Sequence, residues 1–216
     1  ATPALARFGS DELRQNYLAP AIAGDMVASI AVSEPHAGSD VAAIKTTATK
    51  DGDDYVINGT KMWITNSPSA DWFCLLAQTS DGKPHMNKSL IIVPKDAAGI
   101  TVDKPLHKLG MRSSETAQVF FDNVRVPQRN LIGQEGMGFM MQMMQFQEER
   151  LWGAANAIKG CENLIAQTID YARDRQVFGM SLLDNQSVHF KLAELQTEVE
   201  MLRALVWQAC ETYING

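Results

Sequence analysis

Glu149 stands between Glu148 and Arg150 in the stretch FQEER, residues 146–150, directly after methionines at 137, 140, 141, 143 and 144. A glutamate kept from water can take a proton from a weak carbon acid, because desolvation lifts a carboxyl above its reference pKa of about 4.3. On a wet helix surface the same residue is an ordinary solvated acid or a partner for a residue one turn away. Both readings stand at this level. The methionines read in two ways as well: they pack irregular cores, and they can line an apolar channel.

Three further stretches carry residue types suited to a bound ligand. In IAVSEPHAGSD, residues 30–40, a strand runs into Pro35 and then into Gly38, Ser39 and Asp40. Glycine lets a backbone approach closely, and serine offers both an N–H and a hydroxyl. In KMWITN, residues 61–66, Trp63 and Thr65 alternate with Met62 and Ile64, which places a large aromatic and a hydroxyl on one strand face. Such a pair can pack on a flat heterocycle and donate to its edge. In YARDRQVFG, residues 171–179, Arg175 lies near a helix end and can pair bidentately with a phosphate. Each stretch also has a plain reading: a surface turn, a core tryptophan and a solvated charged turn.

The elements that would hold these groups follow from the periodicity. SDELRQNYLAP reads as one short helix, capped by Ser10 and stopped at Pro20. From Met26 to Val126 the pattern is β-like. DYVINGTKMWIT, DWFCLLAQT, KSLIIVPK and AQVFFDNVRVP are strands separated by Asp-Gly, Pro and Ala-Gly punctuation. Short strands without intervening helices predict an antiparallel barrel or sandwich. After Pro127 the strand signal stops, NLIGQEGMGF reads as a linker, and helical periodicity begins near Phe139. Leu151, Ala154, Ile158, Cys161 and Ile165 form one stripe. Val188, Leu192, Leu195, Val199, Leu202, Val206, Ala209 and Tyr213 form a second. Two long helices joined by DRQVFGMSLLDNQ predict an antiparallel pair from a larger bundle, its second seam exposed for further chain or another subunit. The fold class is thus α+β and multidomain.

The 216 residues carry a net charge of −6, with 20% charged and 45% hydrophobic residues, which suits a globular protein and supplies no basic stripe for nucleic acid. Cys74, Cys161 and Cys210 are widely spaced and form no C-x-x-C, and the four histidines lack ligand spacing. Reduced, mostly buried thiols and no metal are expected. No apolar run approaches the roughly 18 residues of a membrane span. ATPALARFG does not read as a natural start, so preceding chain is expected.

Taken in order, SEPHAGSD, NGTKMWITN, VFFDNVRVP, ERLWGAANAIKG, YARDRQVFG and NQSVHFKLAELQ closely resemble the acyl-CoA dehydrogenase family over essentially the whole chain. The resemblance implies the end of an N-terminal helical domain in residues 1–24, a β-barrel middle domain in 25–130 and the first part of a C-terminal helical bundle in 131–216. It implies FAD as cofactor. Ile30, Val32, Ser33, Gly38 and Ser39 would line the flavin, with Ser39 also reaching the acyl-CoA. Trp63 would cover the isoalloxazine, with Ile64 beside it and Thr65 near N5. Arg175, Gln176 and Phe178 would meet the pyrophosphate and adenine of a neighbouring subunit's FAD, and Gln186 would add a contact.

The implied chemistry is α,β-dehydrogenation of a thioester, in which a carboxylate takes the proton beside the carbonyl. Most family members carry that base on a later helix, whereas isovaleryl- and long-chain-type members place it directly before an arginine. FQEER matches the second arrangement, with Glu149 as base and Arg150 on the substrate; Gln147 departs from the family's aspartate at a CoA contact. A branched or medium to long acyl chain, an electron-transfer flavoprotein as acceptor, a role in fatty acid metabolism and a homotetramer follow by resemblance. So does a cytoplasmic location in a bacterium, or the mitochondrial matrix in a eukaryote. Two other functions remain open: a related flavin oxidase, and a non-catalytic homologue that binds acyl-CoA or FAD.

Overall fold

Ser10 starts a helix as its sequence predicts, its hydroxyl accepting from the Leu13 amide at 3.3 Å. The structure, a computed structural model, describes residues 1–216 and divides them into two compact units, 1–145 and 146–216. In the first unit, α1 (Thr2–Phe8) precedes a continuous run of α2 (Asp11–Leu13), a π turn (Arg14–Leu18) and α3 (Ala19–Ala23). The helix therefore does not stop at Pro20. The π turn widens the ladder just before the proline, so the run passes through Pro20 without stopping. The chain ends the run at Gly24, whose φ of 88° is the left-handed geometry that closes helices.

The strands β1 (Ala28–Ala31), β2 (Thr47–Asp51), β3 (Asp54–Thr65), β4 (Trp72–Gln78), β5 (Lys88–Pro94), β6 (Ile100–Val102), β7 (Thr116–Pro127) and β8 (Leu131–Ile132) form one sheet in the order β6-β7-β3-β2-β4-β5-β8. Most pairs are antiparallel, but β1 runs parallel to β4. The sheet curls round a single core, since Phe73 on β4 and Phe121 on β7 meet edge to face at 6.0 Å although two strands separate theirs in the sheet order. The other face of β4 is equally dry: Trp72, Cys74 and Leu76 are fully buried, and Tyr17 packs edge-on against Trp72. Burying each such side chain contributes about 1.5–3 kcal/mol, so β4 and β5 anchor the unit. Strand structure also continues past Pro127, where the sequence signal stops: Leu131 and Ile132 pair with Ile91 and Leu90. Two residues are too few for a periodicity to show.

In the second unit α4 (Gly138–Asp174), most of whose length lies here, and α5 (Gln186–Asn215) are connected through a hairpin of β9 (Gln176–Val177) and β10 (Met180–Ser181). Asn185 caps α5, its side chain accepting from the Ser187 amide at 3.1 Å. The helices are antiparallel: Tyr213 donates to Glu148 Oε1 at 2.7 Å, and Arg203 pairs with Glu162. The two predicted stripes face each other, with Ile158, Ile165, Leu192, Val199 and Val206 buried between them. The seam from Val188 to Tyr213 is therefore not open as expected, because α4 covers it. The three cysteines are free; Cys74 is buried, and Cys161 and Cys210 are half-buried beside this seam.

Candidate functional site

The first constellation is built where two strands share one slot. β2 pairs with β3 over Asp54–Asn58 and touches β4 at Gln78. β1 pairs with β4 over Trp72–Leu75 and reaches the far end of β3, where Met62 N–H donates to Ser33 O at 2.8 Å and Ser29 Oγ to Thr65 O at 2.5 Å. Residues 32–46 are the loop by which the chain leaves the slot and re-enters it. Lys61 lies opposite that break. Its ammonium donates to Val32 O and to Glu34 Oε1, both at 2.9 Å. The Glu34 carboxylate in turn accepts from the Lys45 amide at 2.6 Å and the Thr46 amide at 2.9 Å.

Neither charge sees water, with side-chain exposures of 0% for Lys61 and 2% for Glu34. Burial pulls Lys61 down to about 8 against the attraction of Glu34. For Glu34, burial acts to raise the pKa, but the Lys61 charge and the hydrogen bonds from Thr46, Lys45 and Lys61 outweigh it and hold the carboxyl below its usual range. Gly59 makes the approach of Thr46 feasible: a Cβ there would lie 2.4 Å from Thr46 Oγ1 and 2.7 Å from its Cα. His36 Nε2 lies 3.5 Å from Glu34 Oε2 on the outer side of the loop.

Beyond Lys61 the strand bulges. Lys61 pairs with Val119 and Ile64 with Ala117, so β3 holds one residue more than β7 over this interval. Trp63 takes the strain, with φ of 64° and its side chain 62% exposed. Thr65 is also exposed, as the alternation predicts, while the Ile64 side chain is in the core of the sheet, leaving only its main chain for a ligand. Asn66 repeats the left-handed geometry and donates its N–H to Glu115 O at 2.8 Å. In the loop, Gly38 and Ser39 are exposed, Ser33 and Ile30 half-buried and Val32 buried. Ser33 and the bulge are adjacent through the Met62 hydrogen bond.

The second constellation belongs to the other unit. Phe146, Glu149 and Arg150 line an open concavity of about 260 Å³, with the Arg150 guanidinium 5.7 Å from the Phe146 ring. Glu149, Arg150 and Gln147 are exposed, whereas Glu148 is half-buried by its bond to Tyr213. Arg175 ends the helix; its N–H donates to Tyr171 O at 2.9 Å and its carbonyl accepts from Leu182, while Arg173 is paired with Asp170. Gln176 and Gln186 are exposed, and Phe178 stands fully exposed at the hairpin tip with φ of 51°.

Glu34 and Lys61 escaped the motif reading. A signal was present: alternation from Tyr55 through Ile57 puts Lys61 on the inward face, where a cation needs an anion.

Comparison with known proteins gives two family profiles along the chain: "Acyl-CoA dehydrogenase, middle domain" over residues 29–124 and "Acyl-CoA dehydrogenase, C-terminal domain" over 136–216. An acyl-CoA dehydrogenase of Bacillus subtilis (strain 168) is 37% identical over 209 residues, covering 97% of this chain and 55% of the relative. The mitochondrial short-chain specific acyl-CoA dehydrogenase of Rattus norvegicus is 37% identical over 203 residues, covering 94% of this chain and 49% of the relative. Among solved structures, the acyl-CoA dehydrogenase from Geobacillus kaustophilus superposes with a TM-score of 0.95 at 39% identity, covering 100% of this chain and 57% of that one. The chain thus spans about half the length of the curated relatives it matches.

Proposed function

This chain belongs to the acyl-CoA dehydrogenase family, and on that premise we propose that its enzyme performs FAD-dependent α,β-dehydrogenation of an acyl-CoA thioester to the trans-2-enoyl-CoA. The observation that carries the reading is the bulge. A tryptophan held in left-handed backbone presents most of its ring to the outside, with a threonine hydroxyl two residues on and a serine–glycine loop hydrogen-bonded alongside. Backbone strain at an exposed aromatic is expected where the ring must face a ligand rather than a core. When bound, FAD supplies an isoalloxazine ring that accepts a hydride. Trp63 offers that ring a flat face, Thr65 a donor at its edge, and Ser33, Gly38 and Ser39 the adjoining main chain. Arg175, exposed just after the helix end, suits the pyrophosphate of a neighbouring subunit's FAD, with Gln176 and Phe178 beside it and Gln186 adding a contact.

Glu149 is the proposed base. It takes the proton from the carbon next to the thioester carbonyl, with Arg150 and Gln147 holding the substrate. The side chain is exposed within these 216 residues, so the dryness that a carbon acid demands must come from the acyl chain or from further protein packed over it. The placement of Glu149 before Arg150 supports a branched or medium to long acyl chain. An electron-transfer flavoprotein as acceptor, a homotetramer, the division into 1–24, 25–130 and 131–216, and a cytoplasmic or mitochondrial-matrix location complete the proposal. No helix is long and apolar enough to cross a membrane.

The test is direct. Full-length protein should purify yellow, and its flavin band should bleach when a suitable acyl-CoA is added without oxygen. A spectrum unchanged across short, branched and long acyl-CoAs contradicts the activity. Rapid reoxidation in air with peroxide release would mark an oxidase.

A further inference from the structure

We propose that the buried Glu34–Lys61 pair is a positioning device. It locks loop 32–46 onto the bulge of β3, so that the Ser39 loop and Trp63 move as one rigid wall of the flavin site. The inference rests on the functional reading above for its ligand, and on geometry for the lock itself.

The slot between β3 and β4 is filled at one end by β1 and at the other by β2, with main-chain hydrogen bonds at its rims from Met62 to Ser33 and from Gln78 to Thr46, and between those rims no strand pairs with both β3 and β4. Continuity across that gap is carried by side chains. Lys61 ties β3 to the end of β1 through Val32 O and to Glu34, and Glu34 ties the same point to the start of β2 through the amides of Lys45 and Thr46. Three separate segments converge on one carboxylate and one ammonium. The loop between them closes on itself at Glu34 and Ala37, each donating its N–H to the other's carbonyl at 2.8 and 3.1 Å. Gly38 and Ser39 follow directly.

On the strand side, Lys61 is the last inward residue before the bulge, and Met62 is hydrogen-bonded to Ser33. Trp63 is therefore two bonds of the network away from Ser33, and its strained backbone is fixed by what precedes it. A buried charge pair is a poor way to gain stability, because an apolar pair of similar volume often serves as well or better. It is a good way to fix one geometry, since a carboxylate with two amides and an ammonium has a single low-energy arrangement. That distinction makes the role testable.

In the full-length enzyme, Glu34→Gln with Lys61→Met removes both charges of the pair together, so that neither is left as the uncompensated half of it. The expected variant melts near the wild-type temperature. Its amides from 33 to 46 exchange with solvent at least tenfold faster, while those of β4 and β5 are unchanged. FAD is held roughly 10–100-fold more weakly, the range lost when supports behind binding groups are removed. Wild-type protection of 33–46 together with wild-type FAD affinity overturns the proposal. Should the double variant fail to fold, Glu34→Asp decides: it keeps both charges but withdraws the carboxylate from the Lys45 and Thr46 amides. Faster exchange at 45 and 46 with weaker FAD supports the lock, and full protection with full affinity sinks it. The exchange measurement needs no flavin. A wild-type protein that takes up no FAD yet shows the exchange difference would refute the functional reading and leave the lock standing.

Discussion

Glu148 and Glu149 are chain neighbours with different surroundings. Glu148 accepts a hydrogen bond from Tyr213 and is half-buried, whereas Glu149 turns about 100° away and opens onto the concavity it shares with Phe146 and Arg150. Glu148 is thus not the plain surface acid that its sequence suggests but part of the contact between the two helices. Glu149→Gln in the full-length enzyme should keep FAD and acyl-CoA and lose flavin reduction by about 10²–10⁴-fold, the usual worth of a general base. Glu148→Gln preserves an acceptor for Tyr213 and should keep most activity. Stopped-flow reduction separates the two, and a near wild-type rate in Glu149→Gln would place the base elsewhere. Arg175→Ala should weaken FAD by about 1.5–3 kcal/mol, the value of a charge-assisted contact. Equilibrium dialysis showing unchanged FAD affinity would mean that the guanidinium serves solvent. Pattern alone leaves both residues with two readings, a ligand contact or a solvated charge; Glu149 stands out by its place before an arginine in a family resemblance, and packing distinguishes it from Glu148.

At the scale of the element, β3 decides the site. Trp63 occupies a conformation that costs an L-residue roughly 1–2 kcal/mol, and its largely exposed ring recovers little of that by burial. Trp63→Gly relieves the strain, so the melting temperature should hold within a degree or two while FAD affinity falls. A large drop in melting temperature would show that the indole packs as structure. The loop beside it has a pH dependence with a definite sign. Glu34 has its folded pKa below the unfolded value of about 4.3, so its contribution is complete above that value and is lost as pH falls through the lower, folded one. Exchange of the 33–46 amides should therefore rise below about pH 4 before the β4 and β5 amides follow. Simultaneous loss at all of them would argue against a local lock. The strands themselves were readable, because β-branched and aromatic runs between turn residues leave few alternatives. The bulge was not. Alternation correctly paired Trp63 with Thr65, yet no local pattern announces an extra residue whose cause is the register of β7. The shared slot of β1 and β2 was equally hidden, since it depends on a parallel pairing with β4 that spans more than forty residues of chain.

At the scale of the molecule, α5 has more apolar surface than one partner can cover. Its seam through Val199 and Val206 is closed by α4, yet Phe190, Met201 and Leu205 stand exposed on the opposite side of the helix, and Trp207 and Ile214 on a third stripe about 70° from the seam. A helix apolar on several faces belongs inside an assembly. The sequence pattern located the seam correctly and then assigned it to the wrong occupant. Periodicity reports that a face is buried, not by what. The remaining stripes, with the fully exposed Phe178 at a hairpin tip, are the surface that further helices or a second copy would cover. The full-length enzyme should accordingly sediment as a homotetramer and bind little of a dye that reports exposed apolar surface. The 216-residue chain expressed alone should bind the dye strongly and self-associate. Leu205→Lys and Phe190→Lys together should reduce both effects in the short chain without unfolding it, since neither residue contributes to the α4–α5 seam. A full-length protein that is monomeric at micromolar concentration and still retains FAD would sink the assembly. It would also show that Arg175 and Phe178 need no neighbour to meet the cofactor.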